Sequence, residues 1–216
     1  MNDVNTEKLR EAAGRLTAKG LLQAGDTLSM RLAGVGKILI LSIDTAGPQI
    51  KSVELQPAAP AAGSALAVHL TVYRERADVG TVLLNRQPWA AALHELGSVM
   101  PGVFDEQIRH LGRSVERLDD ALATTGSRAH LGSGANAFVL PGQVLCLGTM
   151  LDRAVFNAEL LEKCAKAYVL AASTGMKVGK IPWLVRWIAN GRLMKDERNA
   201  AAQFASGKMP VFSSAY

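Results

Sequence analysis

Four histidines, His69, His94, His110 and His130, are the side chains of this chain best suited to metal ligation or proton transfer. No two of them stand at the short spacing that sets a pair of ligands on one helix turn or one strand. His69 can serve as an acid or base, or sit hydrogen-bonded in the interior, and the second reading is the stronger. Arg86 offers different chemistry. Its planar fork can grip a carboxylate through two parallel hydrogen bonds, and Asn85, Gln87 and Trp89 flank it with amide groups and an aromatic wall. The same arginine can instead pair with an acidic neighbour and hold a subunit interface. Gly132-Ser133-Gly134-Ala135-Asn136-Ala137 has the letters of a dinucleotide fingerprint, but a strand is expected after it where the fingerprint needs a helix. Gly34-Val35-Gly36-Lys37 lacks the upstream glycine and the hydroxyl residue of a phosphate loop. Both are turns.

The elements that must position these groups follow from periodicity. Asn5 or Thr6 can cap a first helix with Leu9, Ala12, Ala13 and Leu16 on one face, ended by Gly20. Strands are expected at 26–32, 37–43 and 49–55, the second nearly all apolar and so covered on both faces. A proline- and alanine-rich loop at 56–63 leads to a helix from Ser64 to Arg76. A buried strand at 81–84 and a helix opened by Pro88 come next. Helices at 105–111 and 114–123, strands at 137–140 and 144–147, and a long helix over 151–172 complete the order. Mixed strands and helices in this sequence point to a layered α/β/α domain.

At 216 residues and 49% hydrophobic the chain can bury one full core. The opening MNDVNTEKLREAAGRL mixes charges and lacks an apolar secretory segment, and no run has the ~18 apolar residues of a membrane-spanning helix. Cys146 and Cys164 are expected as buried, reduced thiols, which suits a cytoplasmic protein. The net charge of +5 is uneven: from Gly175 onward seven basic residues face two acidic ones, leaving residues 1–174 formally neutral. This divides the chain into a 1–174 domain and a 175–216 basic helical extension, expected to pack on the same domain or a neighbouring subunit. Within the extension Trp183, Trp187, Ile188 and Met194 form an apolar stripe among Arg186, Arg192 and Lys195. Packing against protein is favoured for it over a membrane-surface or partner helix. The basic residues build no nucleic-acid motif.

The stretch His69–Ala90, HLTVYRERADVGTVLLNRQPWA, resembles class II aldolase/adducin proteins, whose helix reads His-Leu-x-x-Tyr-Arg-x-Arg-x-Asp-Val-Gly and whose next strand leads to His-x-His-x-Pro-Tyr-Ala. His69, Leu70, Tyr73, Arg74, Arg76, Asp78, Val79, Gly80, Pro88 and Ala90 match that pattern, and residues 4–174 can be laid along the family. The resemblance implies a three-layer α/β/α fold with a mixed sheet, a homo-oligomer, expected as a tetramer, and a divalent metal held by histidines. Yet the matching positions are Leu84, Arg86 and Gly142, and the glutamate expected four residues before His69 is Ala65. None of these is a zinc ligand.

The reading is therefore a family member without zinc-dependent aldolase chemistry, acting as a small-anion binding module or a structural, oligomeric one. The candidate pocket comprises Arg86, Asn85, Thr27, Ser29, Ser64 and His69, with no metal or other cofactor. Asp26 and Thr27 replace the phosphate-cradling residues of the family segment, and a carboxylate there repels phosphate. The alternative is an aldehyde-lyase, decarboxylase or epimerase acting on a sugar phosphate or hydroxy acid through a rearranged site. Zinc or another divalent metal belongs to that alternative alone. Tyr216 is a weak counterpart of the carboxyl-terminal tyrosine that relatives send into a neighbour's pocket.

Overall fold

The computed structural model describes residues 2–56, 63–97, 99–118, 131–132 and 134–211. His130, Tyr216 and Ser133 lie outside the described residues, as does the segment 119–123 of the helix expected from Ser114. Among the described residues fourteen elements follow one another: α1 (Asn2–Ala18), β1 (Thr27–Leu32), β2 (Lys37–Asp44), β3 (Gly47–Glu54), α2 (Ala65–Glu75), β4 (Thr81–Asn85), α3 (Pro88–Glu95), β5 (Met100–Pro101), α4 (Asp105–His110), β6 (Ser114–Arg117), β7 (Ala137–Leu140), β8 (Gln143–Gly148), α5 (Leu151–Ala172) and α6 (Trp183–Ala205).

The eight strands form one mixed sheet in the order β3-β2-β1-β4-β8-β7-β6-β5. All neighbours are antiparallel except β6 and β7, which run parallel. Helices cover both faces. One face buries Leu28, Leu83, Val144 and Cys146 beneath α1, α3 and α5. The other buries Val82, Phe138, Leu145 and Leu147 beneath Leu70, Val72 and Tyr73 of α2. Among the described residues no helix is long and apolar enough to cross a membrane. Cys146 and Cys164 are free and buried.

β1 shows how the sequence chooses its faces. In Thr27-Leu28-Ser29-Met30-Arg31-Leu32 the apolar residues join the α1–α5 side. Period-2 alternation then sends the three polar residues to the α2 side. There they must be hydrogen-bonded, because an unpaired buried polar group is costly.

Two expectations need correction. α1 starts at Asn2, so Asn5 and Thr6 are interior residues rather than caps. Residues 114–117 form a strand instead of opening a helix, since Glu116 and Arg117 pair with Phe138 and Val139 of β7. Pairing with a buried strand overrides the local helical pattern.

Candidate functional site

β1, β4 and β8 bring the chain's distinctive residues to one end of the sheet. Thr27 pairs with Leu84 and Asn85 with Val144, so the loop before β1, the end of β4 and the start of β8 converge. Leu84 is buried within the sheet. Gly142 forms the β7–β8 turn with a φ of 68°, a left-handed conformation suited to glycine. Ala65 is the first residue of α2. The four positions that the resemblance matches to metal ligands supply no nitrogen, sulfur or carboxylate donor from the side chains of Leu84, Gly142 or Ala65, and only a cationic guanidinium from Arg86. A zinc ion does not fit that set.

Arg86 turns toward the loop before β1. Its Nε donates to Asp26 Oδ1 at 3.0 Å, and its Nη2 donates to the Ala24 carbonyl. Asp26 is fully buried, and its second oxygen accepts the Gln23 backbone N–H at 2.8 Å. Between them Gly25 has a φ of 90°, and a Cβ there would stand 3.0 Å from Arg86 Nη2. The loop is thus folded around the guanidinium. Asn85 Nδ2 donates to the Leu21 carbonyl at 2.6 Å, which ties β4 to the end of the α1 connection.

Thr27, Ser29 and His69 come together on the α2 face, with Thr27 directly after Asp26 in the chain. His69 Nε2 lies 2.8 Å from Thr27 Oγ1, and its Nδ1 lies 2.6 Å from Ser29 Oγ. Ser29 Oγ is also 2.8 Å from Tyr73 Oη. His69 and Ser29 are fully buried. Burial lowers the His69 pKa to about 3, so the ring is neutral at physiological pH. Arg31 extends the seam, with Nη2 donating to the Tyr73 carbonyl at 2.9 Å and the guanidinium stacked near the Tyr73 and Phe204 rings. Ser64 stands apart as the cap of α2, accepting the Ala67 N–H at 3.2 Å.

Arg76 and Asp78 of the motif sit in a buried polar network. Arg76 clamps Asp78 through Nε and Nη2, both at 2.8 Å, and donates Nη1 to the carbonyls of Gly132 and Ala135. Its Nη2 lies 3.1 Å from Glu197 Oε1 of α6, while Glu197 Oε2 accepts the Gly134 N–H at 2.7 Å. Sequence reasoning missed Glu197. Its signal was an inward-facing spacing with Asn190 and Leu193, which share one side of the helix with it.

Glu162 was also missed. α3 has no side-chain cap of its own; instead the Glu162 carboxylate accepts the Trp89 and Ala90 N–H groups at 3.0 Å each. A carboxylate on the exposed amides of a helix start is stabilising through hydrogen bonds and the helix dipole. Glu162→Ala is expected to lower unfolding free energy by about 1–2 kcal/mol in urea denaturation, and Glu162→Gln by less.

His94 and His110 do not join the seam. His94 Nε2 is 3.3 Å from Arg117 Nη2, and His110 Nδ1 is 2.6 Å from Arg153 Nη1. Burial, reinforced by Arg153 and Arg109, lowers the His110 pKa to about 4. Among the described residues no three His, Cys, Asp or Glu side chains converge as a metal site requires. A cavity of about 520 Å³ lies elsewhere, between α1, the start of α5 and Met209–Pro210, with Lys8, Glu11, Arg15 and Asp152 on its wall.

Comparison with known proteins agrees with this architecture. Residues 15–169 match the profile of the class II aldolase and adducin N-terminal domain. An L-fuculose-1-phosphate aldolase from Thermus thermophilus superposes with a TM-score of 0.63 at 22% identity, over 80% of this chain and 97% of its own. A second L-fuculose 1-phosphate aldolase gives 0.68 at 21% identity, over 89% and 96%. YgbL from Klebsiella pneumoniae, whose name offers aldolase, epimerase and decarboxylase as alternatives, gives 0.68 at 18% identity, over 85% and 96%. A search of curated protein sequences finds no match.

Proposed function

This chain belongs to the class II aldolase and adducin N-terminal domain family, and we propose that it is a metal-independent structural module of that fold, assembled as a cytoplasmic homo-oligomer. The observation that carries the reading is the Arg86–Asp26 ion pair at the sheet end. There the family resemblance implies a metal histidine, whereas here a guanidinium and a buried carboxylate satisfy each other. Enolate chemistry of the family type needs a Lewis acid on the substrate oxygens, and Leu84, Arg86, Gly142 and Ala65 provide no ligand set for one. Arg86 is the candidate electrophile of a rearranged lyase, decarboxylase or epimerase site and the candidate grip of a small-anion pocket. Its engagement with Asp26 and Ala24 favours the framework role over both. The assembly is expected to be a tetramer by family analogy. Buried, free Cys146 and Cys164 suit a reducing compartment.

Arg86→Ala separates the readings. A framework arginine leaves Asp26 buried without its charge partner, so unfolding free energy should drop by about 1–3 kcal/mol. An anion-pocket arginine would instead cost ligand binding with little loss of stability. Chemical denaturation, alongside thermal shift with a panel of carboxylates and sugar phosphates, reads both. Elemental analysis of purified protein should find no stoichiometric divalent metal, and light scattering should give an oligomer. About one tightly held metal per chain, with cleavage of a sugar phosphate, would overturn the proposal.

A further inference from the structure

α6 is fixed on the domain by polar contacts. Its buried residues are Asn190, Leu193, Glu197 and Ala200. Asn190 Nδ2 donates to the Gly134 carbonyl at 2.8 Å, and Glu197 meets Arg76 and the Gly134 N–H. Trp183 stands two turns before Asn190 on nearly the same face, yet the first two turns of α6 leave their apolar residues exposed. Trp183 is 71% exposed, Trp187 61%, Leu184 50% and Ile188 45%, and the preceding Met176 is 76% exposed. Within the chain, Met194 of the stripe faces Gly134, while Trp183, Trp187 and Ile188 are exposed.

The charges along this stretch of the chain are of one sign. From Met176 to Lys195 the sequence holds Lys177, Lys180, Arg186, Arg192 and Lys195 and no acidic residue. Lys177, Lys180, Arg192 and Lys195 are exposed. Asp105 and Glu106 of α4 flank only the Val185–Ile188–Arg192 side. Tryptophans with an apolar body and a polar N–H, set among lysines on one helix, suit the boundary between headgroups and acyl chains.

We propose that the outer face of the first half of α6, Trp183–Ile188 with Lys177, Lys180, Arg192 and Lys195 around it, docks on an anionic phospholipid bilayer and lies in its interface plane. The contact is electrostatic and apolar together, so it weakens with salt and with loss of either component.

The test is co-sedimentation of the full chain with phosphatidylcholine vesicles, with or without about 30 mol % phosphatidylglycerol. Binding to the anionic vesicles should exceed binding to the neutral ones by about tenfold or more, and fall steeply at about 0.5 M salt. Trp183→Ser with Trp187→Ser should reduce anionic-vesicle binding by about tenfold or more, as should Lys177→Glu with Lys180→Glu. All four positions are exposed, so melting curves should be unchanged and loss of fold is not confounding. No binding up to about 1 mM lipid, or equal binding by parent and variants, would overturn the proposal. So would a tryptophan variant that dissociates an oligomer in light scattering while the parent ignores vesicles, which would assign the face to a second copy.

Discussion

Arg76→Met should cost about 3–5 kcal/mol of folding free energy at pH 8, the largest loss expected from one substitution in this chain. The guanidinium is buried and serves Asp78, Glu197, Asn136 and the carbonyls of Gly132 and Ala135 at once. Removing it strands two carboxylates in the interior. The cost should shrink toward pH 5. Burial, against the opposing pull of Arg76 and with help from the charge of Asp78, raises the Glu197 pKa to about 7. A carboxyl raised in the folded state contributes stability that is fully present below its ordinary value of 4.5 and lost as pH rises through about 7. Without Arg76 the downward pull vanishes, so the ionised form is penalised further at pH 8 and little at pH 5. Glu197→Gln, which cannot titrate, should remove the decline from pH 5 to pH 8 that this residue imposes. Urea denaturation across that range measures both. A loss below about 1 kcal/mol for Arg76→Met, or a Glu197→Gln difference flat with pH, would refute this account.

The same cluster explains what could be read before the fold was known. The motif Tyr73, Arg76, Asp78, Gly80 signalled the family because these residues build the α2–β4 junction, independently of any metal. Those residues lie close together in the chain, so the fold was legible from one continuous stretch. α5 was legible from end to end because its apolar face is continuous and buried along one side. β6 was not, because Ser114–Arg117 takes its conformation from β7 rather than from its own pattern. The Arg86–Asp26 pair spans 60 positions, and no local periodicity connects them. The polar anchors of α6 were not legible either, because Asn190 and Glu197 are polar residues whose burial depends on Gly134 and Arg76, far away in the sequence.

His69→Gln should lower stability at pH 7.5 by about 2–4 kcal/mol, yet by progressively less as the solution is acidified. Glutamine can reproduce one of the imidazole's two hydrogen bonds and abandons the other, leaving Thr27 or Ser29 short of a partner in a fully buried seam. The pH dependence comes from titration. Burial depresses the His69 pKa from 6.5 to about 3. A histidine depressed in this way contributes stability that is fully present above 6.5 and lost as pH falls toward about 3, because the unfolded chain takes up a proton that the native site refuses. Each pH unit between those limits is worth about 1.4 kcal/mol, so roughly 3 kcal/mol of the parent's advantage should disappear between pH 6.5 and pH 4. His110 and Glu197 also titrate there, but they are common to parent and variant and cancel in the difference. Denaturation curves at a series of pH values provide that difference. A constant gap would mean that His69 protonates normally and is open to solvent, as a proton-transferring residue requires. A gap that closes toward acid would show an imidazole held neutral by the framework, unable to donate or accept a proton near neutrality, and so one more inherited residue serving the fold.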